Sequence, residues 1–337
     1  ISTPDQIELV ARSLRDQVVW LRNHPSVFLW VLASDMLPRP ALEKRYLEVL
    51  DEVDTTRPAL AACAVANSEV SGPTGVKMNG PYDYVPPIYW YQDTENGGAF
   101  GFNTETGPGP QPPPVQSIHR MMPEENWWPI DDMWNYHSGR HSFNTIDRYK
   151  TALENRYGQA TDLEDFARRA QVANYEAMRA MFEAFSVRRP VTTGIIQWML
   201  NSAWPELYWQ LYDHYLIPNG AFYAARAANR PLNLVYDYGD RGIFVVNDTE
   251  MPLSGARLQA RALDLESATL FADSSTIDLP AGGRQQVLTV PSIETDHGVY
   301  FLDLRLTDPV GELLTSSFYW LPTVDDQLDW DGTEWFY

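Results

Sequence analysis

Apolar residues recur at Ile7, Val10, Leu14, Val18 and Leu21, a spacing that gives the opening segment one apolar helical face and one polar face. Thr3 stands before it as N-cap, Pro4 suits the first helical position, and Gln6 completes a Thr-x-x-Gln capping box. Asn23-His24-Pro25 ends this helix, and SVFLWVLAS (26–34) follows. Such a continuous apolar run of strand length is the pattern of a strand covered on both faces, as in a parallel sheet. The alternation then repeats. ALEKRYLEVLDEV (41–53) predicts a helix; ALAACAVAN (59–67), VKMNGPYDY (76–84) and GGAFGFNTE (97–105) predict strands. From 106 to about 160 the chain is rich in Pro, Trp and polar residues, reads as irregular, and is too long for a passive connector. Thr161-Asp162-Leu163-Glu164 predicts a capping box. It opens a helix whose stripe runs through Leu163, Phe166, Ala170, Ala177, Met178, Met181 and Phe185. TTGIIQWMLNSAWP (192–205) predicts a fifth strand with its loop, and 219–229 a further helix.

Strands alternating with helices imply a parallel sheet with right-handed crossovers. An open doubly wound sheet and the later part of an eight-stranded β/α barrel both fit this pattern. Both folds put chemistry at the carboxyl ends of strands. Asp35, Tyr82, Tyr84, Glu105, Trp198 and Asn201 fall at or just after those ends. After Pro231 the period changes to two. LNLVYDY, GIFVVND, ARLQARALDL, STIDLPA, QQVLTVPS, GVYFLDLRLTD and LLTSSFYWLP are strand-like runs joined by short Gly, Asp or Pro turns. They predict an antiparallel β-sandwich of immunoglobulin-like size. The tail DDQLDWDGTEWFY is acidic and aromatic and is expected to fold back on a neighbouring domain.

At 337 residues the chain is too long for one ordinary core. We divide it into residues 1–230 and 231–337. A net charge of −20 opposes binding to nucleic acid and to anionic membrane surfaces, and no run approaches the ~18 apolar residues of a membrane span. The chain opens ISTPDQIELV, without Met or a leader pattern, and is expected to be a processed or cut product. The one cysteine, Cys63, sits in an apolar run and reads as a small buried hydrophobe. His137 and His141 are spaced i, i+4 in the segment read as irregular, so loop positioning is favoured over a metal site there. Phosphate-binding glycine motifs are absent from the sequence. Neither metal nor cofactor is expected. Trp127, Trp128 and Trp134 either roof a site or pin the long segment down.

Asp35 and Glu105, two carboxylates at strand ends, suggest the paired acid and nucleophile of glycoside hydrolysis. Tyr82, Tyr84, Tyr89, Trp90 and Tyr91 cluster after the third strand, and Trp198 and Trp204 follow the fifth. Sugars lay their C–H faces on such rings, although about half of these rings are expected to be core. RNHPSVFLWVLASD (22–35), VKMNGPYDYVPPIYWY (76–91), GGAFGFNTETG (97–107), WMLNSAWPELYWQLYD (198–213) and the ending DWDGTEWFY carry a resemblance. The chain resembles the exo-β-D-glucosaminidase branch of glycoside hydrolase family two over nearly its whole length.

The resemblance implies a partial (β/α)8 TIM barrel, strands four to eight, followed by an immunoglobulin-like sandwich. Barrel strands one to three would then come from the remaining N-terminal portion of the same enzyme, because a five-strand arc leaves open edges. The resemblance also implies Asp35 as general acid/base, Glu105 as nucleophile, and retention of configuration through a covalent glycosyl-enzyme intermediate. Ser34-Asp35 stands where wider relatives carry Asn-Glu. A smaller side chain among carboxylates suits an ammonium on carbon two, which brings its own donors. Ser34, Tyr84, Trp198, Asn201 and Trp204 are the expected substrate contacts. The implied substrate is chitosan or a chitooligosaccharide, cut from the non-reducing end, and relatives acting on such a polymer imply an extracellular or secreted enzyme. A β-mannosidase of the same superfamily and a non-catalytic carbohydrate-binding protein are the alternatives.

Overall fold

The computed structural model describes residues 3–78, 80–138 and 146–330. The chain is mixed α/β and forms two compact units, Ile1–Met78 with Gly101–Glu105, and Asn79–Phe100 with Thr106–Tyr337.

The first unit begins with helix α1 (Pro4–Leu21), strand β1 (Trp30–Val31), helix α2 (Pro40–Val53) and strand β2 (Ala59–Leu60). A short hairpin, β3 (Asn67–Ser68) and β4 (Gly72–Pro73), follows, and strand β5 (Gly101–Thr106) contributes its residues up to Glu105. The predicted capping box forms. Thr3 Oγ1 accepts from the Gln6 N–H, and Gln6 Oε1 accepts from the Thr3 N–H, both at 3.3 Å. β1 and β2 pair in parallel, and Ala11, Val18, Trp30, Val49, Leu50 and Val53 join the helices to them in one core. The SVFLWVLAS strand is shorter than its apolar run, and it is not covered on both faces. Trp30 is buried, but Phe28 and Val31 are exposed. Within this unit only the helix side of the strand is covered.

The second unit holds helix α3 (Tyr89–Gln92) and then the segment read as irregular. That reading is corrected. The segment carries α4 (Val115–Met121), a 3-10 turn (Glu124–Asn126), α5 (Asp132–His137) and α6 (Asp147–Tyr157). Prolines precede or interrupt these short helices rather than abolishing them. Trp134 is fully buried with Ile118, Leu153 and Phe166, and its indole N–H donates to the Asn126 carbonyl, so this ring pins the segment. Helix α7 (Leu163–Val187) starts one residue later than the Thr161 box implies. Asp162 is its N-cap and accepts from the Asp165 N–H at 2.8 Å, a carboxylate being the stronger acceptor for that exposed amide. Strand β6 (Thr192–Gln197) and helix α8 (Gly220–Ala228) follow.

Each of the period-two runs becomes a strand: β7 (Leu232–Tyr236), β8 (Gly242–Asn247), β9 (Leu253–Leu263), β10 (Thr269–Leu279), β11 (Gly283–Thr289), β12 (Val299–Thr307) and β13 (Leu313–Pro322). They form sheets ordered β10-β9-β12-β13 and β11-β8-β7, with a common core that includes Leu234, Val245, Leu258, Leu302 and Tyr319. Val235 and Val246 point the other way and join Met178, Met181, Ala221 and Ala224 of α7 and α8. The start of the tail does fold back: Asp325 pairs with Arg241 and Asp326 with Arg156, each at 2.7 Å. The rest of the tail, 331–337, lies outside the described residues. No described helix is long and apolar enough to cross a membrane.

One buried acid makes the stability of this unit depend on pH. Asp237 caps the β7–β8 turn by accepting from the Gly239 N–H at 2.7 Å and is almost fully buried. Burial pushes its carboxyl up to about 6, above the ~3.9 of an unfolded Asp. Its contribution is therefore fully present below about pH 4 and is lost as pH rises through about 6. Asp237→Asn keeps the acceptor and removes the charge. The variant should match the parent in urea unfolding at pH 4 and exceed it by about 2 kcal/mol at pH 7. Equal stabilities at both pH values would show that the acid is not destabilised by burial.

Candidate active site

In the first unit, hydrogen bonds continue past the formal ends of the strands. The Leu32 N–H donates to the Leu60 carbonyl (2.9 Å) and the Cys63 N–H to the Ala33 carbonyl (3.1 Å). This continuation carries Ser34-Asp35 alongside Cys63. On another side, Lys77 bridges Asn103 in parallel. The Lys77 N–H donates to the Phe102 carbonyl at 2.9 Å, and the Thr104 N–H to the Lys77 carbonyl at 2.8 Å. Thr104 joins the segments, because its hydroxyl lies 2.7 Å from the Cys63 carbonyl and 3.1 Å from that of Lys77. Asn103 is fully buried and its Oδ1 accepts from the Glu105 N–H at 3.3 Å. The side chains alternate along β5, and Glu105 emerges half-buried beside these anchors.

The result is a convergence of donor atoms. One atom each from Asp35, Cys63 and Glu105 lies within 4.8 Å of the other two. Asp35 is exposed and accepts from the Ser34 hydroxyl at 2.7 Å. Cys63 is half-buried, with Sγ 3.8 Å from Ser34 Oγ and 3.4 Å from Met78 Sδ. Burial pushes its thiol up, and the charges of Glu105 and Asp35 add to this. Chemically the cluster offers one carboxyl open to solvent and one more enclosed, brought together at the end of the strands. The reading of Cys63 as a plain buried hydrophobe is corrected. It stands beside both Asp35 and Glu105, and from the middle of ALAACAVAN it carried no sequence signal for that place. Asn103 and Thr104, which hold Glu105 in place, carried none either.

The other sequence candidates lie in the second unit. Trp198 directly follows β6 and is 42% exposed. Its N–H donates to the Thr106 carbonyl at 2.8 Å. Gly107 is required here, since a Cβ on it would stand 2.1 Å from the Trp198 carbonyl oxygen. Asn201 is exposed and bridges Tyr212. Trp204 is partly exposed, stacked on His137 at 5.0 Å and edge-on to Tyr136 at 5.4 Å. Tyr84 is half-buried and edge-on to Tyr149 at 6.0 Å. Burial pushes its phenol above the usual range, so packing occupies this ring. The aromatic cluster around it is more completely core than expected: Tyr82, Tyr89, Trp90 and Tyr91 are all buried. His137 is not on a loop. It closes α5, is buried, and lies 2.7 Å through Nδ1 from the Pro205 carbonyl, while burial lowers its basicity. His141 lies outside the described residues.

No protein-family model matches the chain. It is 40% identical over 96% of its length to the exo-β-D-glucosaminidase of Streptomyces avermitilis, of which it covers 37%. It is 37% identical over 94% of its length to the exo-β-D-glucosaminidase of Amycolatopsis orientalis, covering 32% of that protein. The chain thus spans about a third of the length of these curated relatives. Among solved structures, a complex of the Amycolatopsis orientalis exo-chitosanase, an Asp-to-Ala variant, with PNP-β-D-glucosamine superposes with a TM-score of 0.90. It is 35% identical, covering 99% of this chain and 41% of that one.

Proposed function

From a chain homologous over nearly its whole length to the exo-β-D-glucosaminidases of glycoside hydrolase family two, we propose the C-terminal part of a retaining exo-β-D-glucosaminidase. Residues 1–230 are the later part of a TIM-barrel catalytic domain, strands four to eight, and 231–337 an immunoglobulin-like sandwich. The missing barrel strands come from the N-terminal portion of the same enzyme. The substrate is chitosan or its oligomers, and a polymer of that size puts the enzyme outside the cell.

The observation that carries this reading is the convergence of the Asp35 and Glu105 carboxylates within 4.8 Å. Retaining glycosidases hold their two carboxyls about 5–5.5 Å apart, whereas inverting ones leave roughly 6.5–9.5 Å for a water molecule. Asp35, the more exposed group, donates a proton to the glycosidic oxygen as Glu105 attacks the anomeric carbon. The aglycone leaves and an ester forms at Glu105. Water then enters, Asp35 takes its proton, and the attacking oxygen displaces Glu105 with a second inversion. Ser34 already holds Asp35, and of the two lone pairs on its oxygen one faces the Cys63 thiol and the other is offered to an ammonium on carbon two. Trp198, Asn201 and Trp204, all in the second unit and all exposed, are the candidates for contacts to the sugar.

The test is hydrolysis by the full-length protein carrying this chain. An aryl β-D-glucosaminide should be cleaved about ten- to a hundredfold faster, in kcat/KM, than the matching β-mannoside or N-acetylglucosaminide. That ratio is the worth of one hydrogen bond to a charged group. Preference for the mannoside would reassign the Ser34-Asp35 pair, and cleavage of none would move the reading to a binding protein.

A further inference from the structure

Cys63 takes no part in the hydrolysis derived above, yet its sulfur is within 4.8 Å of an oxygen of each carboxylate. Its surroundings define what it can do. The Ser34 hydroxyl has one proton and directs it at Asp35 Oδ1, 2.7 Å away. That leaves the lone pairs of Ser34 Oγ as acceptors, and the Cys63 thiol lies 3.8 Å from them. Met78 Sδ, at 3.4 Å, is the other neighbour of the thiol, but a thioether accepts more weakly than a hydroxyl. The charged groups on the surrounding elements are Asp35 beyond β1, Glu105 on β5, and buried Lys77 beside β5. Burial and the two carboxylates keep the thiol protonated. It is therefore a donor, not a thiolate nucleophile.

We propose that Cys63 is a positioning residue: its thiol donates to Ser34 Oγ and holds that hydroxyl on Asp35 Oδ1, fixing the direction in which the acid/base carboxyl is presented. Asp35 is exposed, and the Ser34 hydroxyl is the one hydrogen-bond partner of its side chain among the described residues. The orientation of the carboxyl thus depends on a hydroxyl that could itself rotate. The thiol removes that freedom, and it does so from β2, whose continuation is tied to β1 through the Cys63 N–H and the Ala33 carbonyl. The inference rests on the reading of Asp35 as the acid/base.

The test compares Cys63→Val, of similar size without a donor, with Cys63→Ser, a donor, in the full-length enzyme acting on an aryl β-D-glucosaminide. Cys63→Val should lower kcat about two- to fivefold with KM within about twofold, the scale of one weak sulfur hydrogen bond. It should also move the alkaline limb of the kcat/KM profile to higher pH, because the ionised form of the acid/base loses a hydrogen bond. Cys63→Ser should restore both. A Val variant with unchanged kcat and an unmoved limb would overturn the proposal, as would a Ser variant no better than Val. Should Val fail to fold, Cys63→Ala is read against Cys63→Ser in the same way. The parent enzyme and its Asp35→Ala variant, run in parallel, separate the two failures. An inactive parent, or an Asp35→Ala variant with an unaltered pH profile, sinks the functional reading itself.

Discussion

Glu105→Gln in the full-length protein should lower kcat/KM for an aryl β-D-glucosaminide by about 10⁴-fold or more, the scale seen when the nucleophile of a covalent mechanism is removed. The substitution is close to isosteric. The Glu105 N–H is held by Asn103, and Thr104 ties the strand to Cys63 and Lys77, contacts that the substitution leaves in place. An amide then stands where the nucleophile stood. Binding of the free amine should weaken far less than turnover. A second observable assigns the residue. In an Asp35→Ala variant the aryl leaving group departs without a proton donor, but water is no longer deprotonated. The glycosyl ester should accumulate, and mass spectrometry should find one glucosaminyl group on the peptide that contains Glu105. Turnover by Glu105→Gln within tenfold of the parent, or a sugar found on another residue, would remove Glu105 from this role.

What the sequence made legible follows the range of the forces involved. The capping box at Thr3 and the strands β7 to β13 are set by side chains within a few residues of each other, and both form as expected. That Asp35 and Glu105 come together was legible because a strand end is a local feature, and parallel pairing then brings strand ends together. Burial was less legible. Phe28 and Val31 belong to a strand by pattern and yet stand exposed, because burial depends on whether another layer arrives. Conversely, Tyr82, Tyr89, Trp90 and Tyr91 looked like sugar platforms and are core, since an aromatic ring carries no local mark of which neighbour will cover it. The helices between 115 and 157 were hidden by prolines that flank them. Cys63 shows a finer limit: its apolar neighbours announce a buried strand, and nothing in ALAACAVAN shows that the chain turns the thiol toward two carboxylates.

The other large effect concerns how α7 is fixed to the sheets of the second unit. Arg179 is almost fully buried and donates through Nε to Glu183 Oε1 at 2.7 Å, one turn along the helix. Glu183 is completely buried and also accepts from the Tyr319 hydroxyl at 3.0 Å. Arg179 Nη1 reaches the Phe318 carbonyl at 2.7 Å, and its guanidinium lies 3.6 Å from the centre of the Tyr319 ring. The desolvated ion pair lies within α7, and each of its members also bonds to strand β13. Arg179→Met should cost about 3–5 kcal/mol in urea unfolding of the full-length protein, because it strands a buried carboxylate and an unmet carbonyl. The cost would be that of the stranded charge and not the net worth of the pair. Arg179→Met combined with Glu183→Leu should therefore recover most of the loss, as apolar replacements of buried ion pairs commonly do. Recovery would mean that α7 is held to the strands mainly by Met178, Met181 and Phe185 and the layer beneath them, with the charges fixing register. A double variant as unstable as the single one would mean that the pair itself holds the helix in place.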